Sequence, residues 1–89
     1  MSKVFSHSEI RCMVREIVAE QFCFDSIEQL DDYNHFIRDY GADFYDLSEL
    51  IIKFEKKFNI KIHTNFFILI QTVNEAVYII SEILNREEA

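Results

Sequence analysis

Across 89 residues the chain has no proline and a single glycine, Gly41. That leaves little material for tight hairpins, which draw on glycine, proline or asparagine–glycine pairs. A helical architecture with few sharp reversals follows, and the apolar spacing agrees. Ile10, Met13, Val14, Ile17, Val18 and Phe22 fall at i, i+3, i+4, i+7, i+8 and i+12, one stripe of an α-helix. Ser6 and Glu9 have capping-box spacing just ahead of that stripe. Together they predict a first helix over about residues 7–22.

Residues 23–42 carry no sustained period. Ile27, Leu30, Phe36 and Ile37 stand as isolated apolar anchors among Asp25, Asp31, Asp32 and Asn34. This reads as a long loop with a short helical turn near Ser26–Leu30; loops of that length are functional or packed by their own side chains. Leu47, Leu50, Ile51, Phe54 and Phe58 then predict a second helix over 44–58. Asp43 suits its N-cap and Asp46 its first turn, while Lys53, Lys56 and Lys57 lie toward the end that the helix dipole makes negative. Asn59 interrupts the pattern.

The run "NFFILI", residues 65–70, is apolar from Phe66 onward, so periodicity alone does not separate strand from helix. A lone strand would lack a partner, which favours a short helix. Val73, Ala76, Val77, Ile80, Ile83 and Leu84 predict a last helix over about 73–85, opened by Thr72 with Glu75 and followed by a frayed "NREEA" tail. The expected fold is all-α: one domain over 1–89, a small antiparallel bundle of three main helices plus one short helix, with a long loop between the first two.

A net charge of −7 argues against nucleic acid, whose affinity rests on clustered Lys and Arg, and suits encounter with basic protein surfaces. Cys12 and Cys23 make no disulfide framework, and with His7, His35 and His63 scattered no metal site is expected. No apolar run approaches the roughly 20 residues of a membrane span, and the N-terminal stretch is amphipathic rather than signal-like. These features point to a cytoplasmic protein with free thiols. Asp43, Asp46 and Glu49 cluster without a nucleophile or base beside them, so no enzymatic activity is expected.

The stretch "FIRDYGADFYDLSELIIKFEKKFNIKI", with "TVNEAVYII" after it, resembles the acyl carrier protein family. That family opens its second helix with D-L-G-A-D-S-L-D-x-x-E-L. Asp39, Gly41, Ala42, Asp43, Asp46, Glu49, Leu50, Phe58, Ile62, Thr72, Val73 and Ala76 fall in register with its pattern without a gap. The resemblance implies a bundle of the kind read above. It also implies a site: the serine of D-S-L, whose hydroxyl is esterified by 4′-phosphopantetheine, the arm that carries the acyl chain. Phe44 stands at that position and Tyr45 follows it; the Phe44 ring is expected either to anchor a partner or to fold inward against Phe36 or the Phe66–Ile70 segment. A phenyl ring has no oxygen to form the phosphodiester, so no cofactor is expected at Phe44.

Three readings follow from the resemblance. The first is an arm-less homologue that docks, as an adaptor or regulatory subunit, on enzymes of acyl or carrier-protein metabolism through Asp43, Phe44, Tyr45, Asp46, Ser48, Glu49 and Ile52. The second is a working carrier in fatty-acid, polyketide or specialised lipid biosynthesis, with 4′-phosphopantetheine attached at Ser48. The third is a helical oligomerisation module. Phe67 and Ile70 match core positions of the family, which leaves Phe66, Ile68 and Leu69 as surplus apolar side chains that either enlarge the core or, the favoured reading, form a patch for a partner or for a second copy through Phe66–Ile70. Bulky Phe54, Phe58, Phe66 and Phe67 are expected to fill the space where a carrier shelters its cargo.

Overall fold

The computed structural model describes residues 5–88. Its elements are α1 (His7–Gln21), a 3-10 turn (Ile27–Gln29), α2 (Phe44–Phe58), α3 (Thr64–Phe67) and α4 (Val73–Glu88). The all-helical bundle with one short helix is the expected architecture.

Each main helix starts where a side chain satisfies its first free N–H groups. At α1, Ser6 Oγ accepts from the N–H of Glu9 at 3.1 Å while Glu9 Oε1 accepts from the N–H of Ser6 at 2.8 Å. At α4, Thr72 Oγ1 accepts from the N–H of Glu75 at 3.1 Å. α1 ends at Cys23, which takes a left-handed φ of 58° so that the N–H of Phe24 can reach the carbonyl of Ala19 at 3.0 Å. α2 ends the same way at Asn59, with φ 53°.

α1 packs most extensively on α4 and next on α2. Between them Val14, Val18, Leu50, Phe54, Val73 and Ile80 are sealed from solvent. Phe58 is also buried, so Phe54 and Phe58 do fill the interhelical space, whereas Phe66 and Phe67 are half-buried at its rim.

The segment between α1 and α2 is held by its own side chains. Arg15 reaches from α1 to the carbonyls of Ile27 (2.9 Å) and Leu30 (3.2 Å) and to the carboxylate of Asp32, which Arg11 also contacts at 2.6 Å. Leu30 and Phe36 are buried; Phe22, Phe24 and Tyr40 close an aromatic cluster beside Phe36. Ile37, expected as an anchor, is instead exposed. The N–H of Phe36 bonds the carbonyl of Gln71 at 2.8 Å and the N–H of Asn74 that of Asp32 at 3.0 Å, tying the loop to the start of α4.

Two expectations need correction. The tail does not fray after residue 85: α4 continues to Glu88, because Asn85–Glu88 contain no glycine or proline to stop it and Arg86 suits the last turn. The short helix is four residues long and starts one residue early, at Thr64, where His63 caps it. Among the described residues no helix is long and apolar enough to cross a membrane.

Candidate functional site

The chain reaches the start of α2 through a turn over residues 35–41. Gly41 closes it at φ +73°, a left-handed conformation that favours glycine. Its N–H donates to the carbonyl of Ile37 at 3.0 Å, and that of Ala42 to Phe36 at 2.9 Å. Ala42 is buried, which fixes where Asp43 emerges. Asp43 then caps α2: its Oδ1 accepts from the N–H of Asp46 at 2.9 Å, and Asp46 Oδ2 accepts from the N–H of Asp43 at 3.1 Å. Both carboxylates are thus half-committed to the backbone, with free oxygens left for a partner.

Phe44 is the first helical residue. It was expected either to anchor a partner or to fold inward against Phe36 or the Phe66–Ile70 segment. It stays 73% exposed, with one face stacked on Phe67 at a centroid distance of 5.1 Å and an interplanar angle of 23°. Phe36 lies elsewhere, against Phe22. Tyr45 is also exposed, and Ile52 lies two turns on with about half its surface free.

The spacing i, i+4, i+7, i+11 puts Tyr45, Glu49, Ile52 and Lys56 on one stripe, opposite the buried Leu47, Leu50, Ile51 and Phe54. Glu49 accepts a long bond, 3.4 Å, from Gln21 Nε2. Lys53 is drawn sideways: its Nζ donates to Gln21 Oε1 at 2.7 Å and sits 4.0 Å from Glu20. Lys56 and Lys57 are exposed, so α2 is acidic and aromatic at its start and basic at its end.

Ser48 lies one turn beyond Phe44, and its hydroxyl donates to the Phe44 carbonyl at 3.0 Å. This is the back-bond typical of serine inside a helix.

The apolar patch is smaller than expected. Ile68 and Leu69 are exposed at 69% and 54%, but Phe66 is half-buried against the core and drops out of it. Phe67, placed in the core from the sequence, is only half-buried: it packs at the edge of the core and stacks on the exposed ring of Phe44. The cause is the brevity of α3. Turns follow it at once, with the N–H of Leu69 bonded to Phe66 and that of Gln71 to Leu69, so successive side chains do not keep a helical stripe. Ile70 is buried as expected. Tyr78, which sequence reasoning passed over, is 66% exposed and lines a shallow apolar groove with Leu69, Asn74, Glu75 and Ile79. Its signal was its place just off the buried stripe of α4.

No family model matches the chain. Two similar proteins, both named acyl carrier protein, come from Caulobacter vibrioides strains NA1000 and CB 15. Each is 41% identical over 75 residues, which span 84% of this chain and 95% of the relative.

Proposed function

The chain belongs to the acyl carrier protein family, and we propose that within it this protein is a non-catalytic docking subunit without a prosthetic arm. The observation that carries this reading is Phe44. The family's arm is attached through a serine oxygen, and the ring at the matching position offers none. Neighbouring hydroxyls are poor substitutes. That of Ser48 lies about 6 Å further along the axis, by the rise of an α-helix, and is turned back to a carbonyl. That of Tyr45 sits at the end of a rigid ring. A working carrier modified at Ser48 is therefore the weaker reading, and an oligomerisation module through Ile68 and Leu69 leaves the acidic start of α2 without a role.

The remaining surface has the make-up of a docking site. Tyrosine is among the side chains most enriched in binding hot spots and phenylalanine is enriched at interfaces, and Phe44 and Tyr45 flank the carboxylates of Asp43, Asp46 and Glu49. Such charges set encounter rate and register more than affinity. The partner is an enzyme of acyl or carrier-protein metabolism, with a basic, apolar footprint for the start of α2 and an acidic margin for Lys56 and Lys57. The test is direct titration of purified acyl-transfer and carrier-modifying enzymes with the native chain, Tyr45→Ala and Glu49→Lys. Each variant is expected to bind roughly tenfold more weakly. Equal affinity of all three proteins would place docking elsewhere.

A further inference from the structure

Two histidines hold the two elements that meet at Phe44 and Phe67, and they do so with the same atom. His35 opens the turn that delivers Asp43. Its Nδ1 accepts from the backbone N–H groups of Ile37 at 3.1 Å and Arg38 at 3.2 Å. An imidazole nitrogen that accepts N–H bonds carries no proton. The ring is therefore the Nε2–H tautomer, and Nε2 donates to Oε1 of Gln71 at 2.9 Å. His63 is the N-cap of α3, and its Nδ1 accepts from the N–H of Asn65 at 3.2 Å.

This work is normally done by serine, threonine, aspartate or asparagine. Ser6, Asp43 and Thr72 do it for the three long helices. Imidazole differs in gaining its second proton in the mildly acidic range. Here that proton goes to Nδ1, because Nε2 already has one. It turns an acceptor into a donor that faces amide donors. His35 then loses two backbone bonds and His63 loses one, and each new positive charge sits where backbone N–H groups converge.

We propose that His35 and His63 form a pH-sensitive latch on the Phe44–Phe67 platform, which rests on reading that platform as a docking face. At neutral pH both caps hold and the rings stack. In mild acid α3 loosens first, since it has four residues and no buried side chain. Phe67 then leaves Phe44, while the three long helices keep their caps.

Other charges around the two rings do not reproduce this response. On the turn of His35, the Asp39 carboxylate is engaged by the His35 backbone N–H at 2.5 Å, and Arg38 adjoins. From the start of α4, Gln71 is uncharged, and Glu75 behind it takes the N–H of Gln71 at 3.1 Å. Near His63 are Lys61 and, from α2, Glu55, whose carboxylate accepts the N–H of Ile62 at 2.8 Å.

The test is nuclear magnetic resonance on the full chain at about pH 7.5 and about pH 5.5, the interval in which imidazole titrates. At the higher pH both rings are expected as Nε2–H tautomers. At the lower pH the amides of Ile37, Arg38 and Asn65 are expected to exchange about tenfold faster relative to those of α1 and α2, after correction for intrinsic rates. The ring-current shifts between Phe44 and Phe67 should shrink with them. A His35→Asn, His63→Asn double variant keeps uncharged acceptors and is expected to hold its protection at both pH values. Amides and ring currents that stay constant while both histidines titrate would overturn the latch, as would a double variant that responds like the native chain. No partner is used, so this outcome is independent of whether docking occurs.

Discussion

α2 holds its place with fifteen residues, a reciprocal Asp43–Asp46 cap and five buried side chains, whereas α3 has four residues, one imidazole cap and none buried. Their only described ring contact is Phe44 on Phe67. The aromatic surface therefore joins a fixed wall to a labile one. A partner that grips Phe44 reads the state of α3 as well, because moving Phe67 frees the second face of the Phe44 ring.

The contrast predicts unequal costs. Phe54→Ala, in the sealed interior of α2, is expected to cost about 3–5 kcal/mol. Phe67→Ala is expected to cost about 1 kcal/mol, the scale of an aromatic pair. Urea unfolding measures both, and equal losses would mean that α3 is as integral as α2. Asp43→Ala should lie between them or near the lower value, at about 1 kcal/mol, with the loss traced to the first turn of α2 by amide exchange. A variant as stable as the native chain would show that the cap does not hold the platform's fixed wall.

The smallest effect concerns the 3-10 turn, which packs on α1. The hydroxyl of Ser26 and then the backbone N–H of Glu28 hold the Glu28 carboxyl below the usual carboxylate range against an opposing desolvation, and the charge of Arg15 adds the least. A depressed folded-state value stabilises the fold above the unfolded value, and that contribution is lost as pH falls through the folded one. Ser26→Ala should raise the Glu28 titration midpoint, read by carboxyl carbon shifts. The 3-10 turn should respond only in acid, as the Glu28 carboxylate takes up its proton. A midpoint unchanged in Ser26→Ala would remove the hydroxyl from this account.

Much of the fold was legible because its signals are local. Asp43 and the stripe from Leu47 to Phe58 gave both ends of α2, since cap and period lie in the same segment. α3 was less legible: the five consecutive apolar residues from Phe66 to Ile70 have no period, and the residue that sets its start, His63, is not a usual cap. Within the candidate site, the position of Phe44 could be read from the resemblance, but not its direction, which depends on a ring from another helix. Phe66 was misplaced because an unbroken apolar run does not say which side of a four-residue helix meets the core. The roles of His35 and His63 were hidden because the same residue type serves as ligand, base or core filler, and only the approach of particular N–H groups to Nδ1 identifies a cap.

In an arm-less docking subunit the frame of an attachment site persists while the attaching atom is gone. Intact-mass measurement of the native chain and Phe44→Ser, each incubated with coenzyme A and a broad-specificity phosphopantetheinyl transferase, tests it most directly. No added mass is expected on the native chain, and one phosphopantetheine on Phe44→Ser. A phosphopantetheine adduct on the native chain would contradict it.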